Sequence, residues 1–254
     1  MHGMDSLVDV LKRLRGENGC PWDREQTHMS LRNTMIEEAY EAVDAIERDD
    51  TDALCEELGD VLLQIVFHAQ IETEASDFTI RDVTTGIVKK LIYRHPHVFS
   101  ALKVSGTEEV LKNWEELKKK EKHIHSATEA MQAVPQCFPS LMRAGKLQKR
   151  AAATGFDMDA SAALSAVTEA AEQIRTEYAD SADKDTLYLL AEELLFAAVY
   201  VMRALGLDAE LTLRDAGSAF LDAFAKVEHE SRQNGTELRP LTPEVLHALL
   251  QGAK

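Results

Sequence analysis

Residues 36–66, IEEAYEAVDAIERDDTDALCEELGDVLLQIV, decide the fold of this 254-residue chain. Two stretches of helical apolar spacing flank a turn rich in Asp and Thr. The first carries Glu37, Glu38 and Glu41 as Glu-Glu-x-x-Glu, and the second carries Glu57 and Asp60 as Glu-x-x-Asp. Residues three and four apart share one helix face. Two antiparallel helices would therefore aim four or five carboxylates at one volume. Like charges so close repel, desolvation adds to the cost, and protonation or a cation must relieve it. A divalent metal is the natural relief, and metal, water and carboxylates together make a hydrolytic site.

Outward from that stretch the chain reads as all-α. Six prolines, twelve glycines and hardly any alternating β-branched runs leave little room for strands. The spacing predicts helices over about Ser6–Arg15, Ser30–Glu47, Thr51–Glu74 and Thr79–Tyr93. Leu31, Ile36, Tyr40, Val43 and Ala45 or Ile46 face inward on the second of these, and Leu54, Leu58, Leu62 and Ile65 on the third. Asp50 or Thr51 caps the third. Gly16 to Asp23 is too rich in breakers to be helical, and the fourth helix stops at Arg94-His95-Pro96-His97, where proline disfavours helical geometry in the residue before it. Residues 101–139 read as a connector holding a charged helix from Thr107 to Lys122, whose lysines suit a solvated helix C-terminus.

The second half echoes the first. Leu141–Asp157 resembles Leu7–Asp23, Val167–Gln173 stands opposite Ile36–Glu41, and Leu190–Phe196 stands opposite Glu57–Leu63, while Thr212 to about Glu230 matches the fourth helix. Two tandem helical-bundle modules follow as the expectation: 1–100, with the complete acid set, and 140–254, joined by 101–139. The acid set is not repeated. Glu38 becomes Ala170, Glu41 becomes Gln173 and Glu57 becomes Leu190, with Glu169 and Glu193 the acids that remain. Lys90 and Arg94 give way to Ala219 and Ala223. Apolar packing kept while ligands are shed marks a structural or regulatory half. A last short helix opens with Thr242-Pro243-Glu244.

Composition narrows the function. With 44 acidic and 28 basic residues the formal charge is −16, which disfavours sequence-independent binding to duplex nucleic acid. Small phosphate-bearing ligands stay open, because a metal ion can bridge acidic protein and acidic substrate. Cys20, Cys55 and Cys137 form neither a disulfide framework nor a zinc motif. The N-terminus lacks signal-peptide features, and the longest apolar run, Leu194–Met202, falls short of the about 20 residues that span a bilayer. A soluble cytoplasmic protein is the expectation.

Oxygen-only donors point to hard cations, Mg²⁺ first and Mn²⁺ second. Lys90 and Arg94, four apart, suit a triphosphate beside the carboxylates, although a cationic last helical turn would look the same. Trp22 and Asp23, in Gly19-Cys20-Pro21-Trp22-Asp23, offer an indole plane and a carboxylate that could meet a base or simply pack as a lid. His95 and His97 suit core or hydrogen-bonding roles. Phosphate-binding, dinucleotide, zinc-protease and serine-hydrolase motifs are all missing from the chain. Glu25-x-x-His28 and Glu244-x-x-His247 lack the inward setting of a di-iron bundle.

Gly19-Cys20-Pro21-Trp22-Asp23-Arg24-Glu25-Gln26-Thr27, the two acidic clusters and Arg94-His95-Pro96-His97-Val98-Phe99 resemble MazG, the tandem-domain branch of the all-α nucleoside triphosphate pyrophosphohydrolases. Asn113-Trp114-Glu115 and Leu147-Gln148-Lys149-Arg150 extend the likeness through nearly the whole chain. The resemblance implies a helical module that dimerises to complete its site. It also implies Mg²⁺-dependent hydrolysis of nucleoside triphosphates to monophosphate and pyrophosphate by attack at the α-phosphorus, a nucleotide-pool housecleaning reaction. Metal ligands carry over onto Glu38, Glu41, Glu57 and Asp60, phosphate contacts onto Lys90 and Arg94, and Glu37 or Glu41 would orient the attacking water. One departure stands out: the family's best-known member works through its C-terminal module, whereas here the N-terminal one holds the full set. The competing class is a non-catalytic helical protein that binds nucleotides or a partner as a regulator.

Overall fold

The computed structural model describes residues 2–121, 124–235 and 242–252. Among them every regular element is a helix, thirteen in order, and the chain divides into two compact units, Met1–Lys118 and Lys119–Lys254. The division falls inside the segment that reads as a connector.

The first unit holds α1 (Met4–Arg15), α2 (Pro21–Glu25), α3 (His28–Glu47), α4 (Thr51–Ala75), α5 (Ile80–Arg94), α6 (Pro96–Phe99) and the start of α7 (Thr107–Glu121). Local chemistry sets the ends. Thr27 and Ser30 exchange side-chain and backbone bonds as a capping box that starts α3. Asp50 accepts from the Ala53 amide at 3.0 Å to start α4. Between them Asp49 takes the left-handed conformation, φ 54°, which Asp tolerates better than most residues.

The expected breaker loop is in part helical. Pro21 stands at the first position of α2, where its fixed φ and missing N–H suit a helix start. Gly19 just before it is required: a Cβ there would lie 2.1 Å from the Leu14 carbonyl oxygen. The short helices α6 and α8 are further additions to the sequence reading, each too brief to show a period.

Leu11, Leu31, Val66 and Phe67 form the buried core, with Leu7, Val8, Leu62, Leu63, Ile71 and Ile80 packed around it. Full burial of one such side chain is worth about 1.5–3 kcal/mol. Along the seam of α3 and α4 the buried residues include Ala42, Ala45 and Ala69, small enough to let the two backbones approach. Three residues expected to face inward do not. Ile36, Tyr40 and Leu58 are 51, 54 and 54% exposed. Alanines fill the seam, so the larger side chains lie on its flank, and α5 leaves Ile87, Val88, Leu91 and Ile92 exposed as well.

The second unit holds α8 (Ala127–Gln132), α9 (Ser140–Ala152), α10 (Ala160–Ala179), α11 (Lys184–Ala204), α12 (Ala209–Asn234) and α13 (Pro243–Gly252). Like α3 and α4, α10 and α11 form its most extensive helix pair, packed around Ala163, Tyr200 and Val201. The echo between α1 and α9 does not extend to their placement. Arg15, at the C-terminal end of α1, meets Phe67 and Glu74 in the C-terminal half of α4. Along α9 the order runs the other way: Gly145 lies against Val199, and Gln148, nearer the C-terminal end, donates to the Phe196 carbonyl, earlier in α11, at 2.9 Å.

Candidate active site

Helix α3 carries Glu37, Glu38 and Glu41, and α4 carries Glu57 and Asp60, on helices that pack side by side. One carboxylate oxygen from each of Glu38, Glu41 and Glu57 lies within 4.8 Å of the others. Among the described residues no other group of three acidic, histidine or cysteine side chains converges in this way.

Electrostatics bears the mark of this crowding. Burial first, then the charges of Asp60, Glu41, Glu57 and Glu37, raise the Glu38 carboxyl above its ordinary value. Glu57 is raised by desolvation, then by Glu41, Asp60 and Glu56, and by a side-chain hydrogen bond with Glu41. Asp60 is thus close enough to act on both, although it stands outside the tight trio. Glu37 is exposed and exerts the weakest of the four charge effects on Glu38. Oxygen-only donors that resist ionisation because of one another fit a hard divalent cation, which would replace that repulsion with attraction.

The other expected site residues are less uniform. Lys90 is exposed on α5, whereas Arg94 at the end of the same helix is buried, 7% exposed, with its guanidinium 5.2 Å from the centroid of the Trp114 ring. Lys118 lies 4.6 Å from the centroid of that ring. The four-residue spacing therefore does not make the two cations equivalent: Lys90 is exposed, whereas Arg94 is buried beside Trp114. Trp22 is 62% exposed on α2. His95 pairs through Nδ1 with the Leu91 carbonyl at 2.7 Å, a hydrogen-bonding role.

One residue that sequence reasoning passed over organises the Trp22 segment. Arg15 Nη1 donates to the carbonyls of Asp23 at 2.6 Å and Gln26 at 3.1 Å, while Nε and Nη2 grip Glu74. Its guanidinium also lies over Phe67, 5.3 Å from the ring centroid. No local motif announces it, because Glu74 lies 59 residues away.

In the second unit Ala170, opposite Glu38, is buried at 1% exposure, and Gln173 merely approaches Glu169 at 3.5 Å. An apolar residue fills that position of the helix pair.

Residues 26–99, which include both acidic clusters, match the family described as the MazG nucleotide pyrophosphohydrolase domain. Over its full length the chain is 39% identical to a protein of Escherichia coli (strain K12) named nucleoside triphosphate pyrophosphohydrolase, covering 98% of it. A Thermotoga maritima protein named nucleoside triphosphate pyrophosphohydrolase/pyrophosphatase MazG is 38% identical over 98% of the chain and 95% of its own length. An uncharacterized Bacillus subtilis protein, YabN, is 41% identical over the whole chain, which spans about half of that longer protein, 52%.

Proposed function

We infer, for a chain that belongs to the MazG nucleotide pyrophosphohydrolase family, that it hydrolyses nucleoside triphosphates to nucleoside monophosphate and pyrophosphate through the acidic site of its first unit. The observation that carries this reading is the convergence of Glu38, Glu41 and Glu57, each from a position that the sequence pattern singles out.

Glu38, Glu41, Glu57 and Asp60 would hold Mg²⁺ or Mn²⁺. The bound ion would offset triphosphate charge and lower the pKa of a coordinated water. Glu37 or Glu41 would orient and deprotonate the attacking water as a general base. The water oxygen bonds to the α-phosphorus, the bond to the α–β bridging oxygen breaks, pyrophosphate leaves, and the proton passes to the carboxylate. Lys90, exposed on α5, would contact phosphate oxygens, Arg94, buried against Trp114, would act on them through its charge, and Trp22 with Asp23 would meet the nucleoside. Positioning and charge neutralisation would supply most of the rate.

Domain roles follow from the ligand set. Residues 1–100 act as the catalytic module, 101–139 as connector and 140–254 as a degenerate partner that supports it. The exposed apolar side chains of α3 and α5 support pairing with a second copy as a homodimer. No helix among the described residues is long and apolar enough to cross a membrane, and a housecleaning role in the cytoplasm is the setting that suits the substrate.

Incubating the protein with a panel of nucleoside triphosphates, with Mg²⁺ and with EDTA, and assaying pyrophosphate and monophosphate tests the reading. Metal-dependent release of both is the expected result. Release of orthophosphate and diphosphate would place the attack elsewhere, and no release from any nucleotide would favour the regulatory alternative.

A further inference from the structure

We propose that the second unit carries a binding site for a small phosphate-type anion, orthophosphate or pyrophosphate, in a cavity between α9, the end of α11 and the start of α12. The cavity measures about 210 Å³. A water occupies about 30 Å³ of liquid, and drug-sized ligands take about 300–1,000 Å³. The space therefore admits a small anion rather than a whole nucleotide.

Its lining is cationic in a chain whose formal charge is −16. Lys146 and Lys149 stand three apart on one face of α9, and Arg203 enters from α11. Neither lysine has a carboxylate partner among the described residues. Lys146 lies 5.4 Å from the centroid of the Phe138 ring, which leaves its ammonium charge unneutralised. Arg203 is held in place: Nη2 is paired with Asp157, and the guanidinium lies 5.2 Å from the centroid of the Tyr200 ring. Its Nε is buried without a partner and enclosed by protein rather than open to the cavity, so an anion would meet the terminal nitrogens instead.

The one acid in the lining, Asp208, accepts from the Leu211 amide at 3.0 Å as the N-cap of α12, where the helix N-terminus balances part of its charge, and the lining keeps three cations against this one carboxylate. Gly145, Val199 and Leu207 complete an apolar floor. Two lysines without a carboxylate partner and an arginine shared with Asp157, over an apolar floor, suit compact, multiply charged oxyanions. The site is separate from the acidic one and does not depend on the proposed activity. Pyrophosphate, however, is a product of that activity, so the cavity would let the second unit sense turnover.

Calorimetry and thermal unfolding of the full chain in EDTA, with sodium pyrophosphate, with sodium orthophosphate and with sodium chloride at matched ionic strength, test this. Without a divalent ion the acidic cluster repels these anions, and the part of the binding that the lysine variant below loses reports on the cavity. Saturable heat and a raised Tm are expected with at least one of the two anions. Lys146→Ala/Lys149→Ala, at two exposed positions, should weaken that binding by about tenfold or more while leaving the ligand-free Tm and Mg²⁺-dependent hydrolysis unchanged. A clear preference for pyrophosphate would identify the product as the ligand; equal affinity would identify a single phosphate group. The absence of saturable binding, a chloride effect of equal size, or undiminished affinity in the double variant would overturn the proposal.

Discussion

Arg15 and Glu74 form a two-pronged pair, Nε to Oε1 at 2.9 Å and Nη2 to Oε2 at 2.8 Å, that ties the end of α1 to the end of α4. The same guanidinium supports the Trp22 segment through two carbonyls, so Arg15→Met should loosen both. Hydrogen bonds to a charged group contribute about 1.5–3 kcal/mol, and a loss of about that size in urea unfolding is expected. Arg15→Lys keeps the charge but not the fork and should recover only part of it. The Arg15 hydrogen bond holds the Glu74 carboxyl below its ordinary value. The pair's contribution is therefore complete above about pH 4.5 and fades as pH falls through the lowered value. Wild-type stability in Arg15→Met at neutral pH would reject the role.

The first unit also contains a histidine pair. His28 Nδ1 lies 2.7 Å from His68 Nδ1, with the rings nearly parallel, and His28 Nε2 meets Glu72. Only one of the facing nitrogens can donate, so a proton on both is repulsive. Burial, then His28, lowers the His68 value. A lowered folded-state value means that the pair's contribution is full above about pH 6.5 and is lost as pH falls below it. Unfolding followed from pH 8 to pH 5 should show Tm falling more steeply in the wild type than in His68→Gln. Parallel curves would show that the pair plays no part.

Exposed Ile87, Leu91 and Ile92 on α5, with Ile36 and Tyr40 on α3, give the dimer proposal a direct check. Charges at these positions cost little in an isolated chain, because the side chains already meet water, but they oppose burial between copies. Ile87→Glu/Leu91→Glu should run as a monomer on a sizing column where the wild type runs as a dimer, and should lose hydrolysis. A monomeric wild type would remove the proposal.

The helices that hold the site were legible because their signals are local. Glu-Glu-x-x-Glu and Glu-x-x-Asp each lie within a turn or so, and the caps Thr27, Asp50 and Thr79 stand next to the runs they start. What escaped the sequence depends on distant partners. Arg94 lies beside Trp114 and Arg15 pairs with Glu74, and neither pairing has a period. The inward assignment of Ile36, Tyr40 and Leu58 followed apolarity, whereas the seam is filled by alanines, which hydrophobic patterning weights lightly.

Repulsion within the acid cluster predicts how metal affects stability. Glu38 and Glu57 are raised, so their favourable contribution is present below about pH 4.5 and is lost as pH rises through the raised values. At neutral pH without a cation the cluster opposes folding. Mg²⁺ should therefore raise Tm at pH 7.5, with a stabilisation approaching the about 2.7 kcal/mol that a ligand at 100 times its Kd supplies, and should raise it much less at pH 4.5. Glu57→Gln should raise the metal-free Tm and abolish the Mg²⁺ effect. An unchanged Tm with Mg²⁺ at pH 7.5 would argue that the carboxylates bind no ion.

The division of labour between the units is tested by two matched substitutions. Glu41 belongs to the converging trio, whereas Glu193 is exposed on α11 and joins no such group among the described residues. The change from Glu to Gln preserves size and removes charge, so neither variant should unfold at these accessible positions. Glu41→Gln takes away a proposed ligand and base together. Pyrophosphate release should fall by more than the about 10–100-fold typical of outer-shell partners of a metal. Glu193→Gln should stay within about twofold of wild type, as expected of a surface change away from the chemistry. The buried Ala170 gives the reason: the position opposite Glu38 in the second unit has been given over to packing, and the two acids that remain, Glu169 and Glu193, join no converging group among the described residues. Loss of activity in Glu193→Gln with Glu41→Gln intact would move catalysis to the second unit. Loss in both would mean that the two units share one reaction.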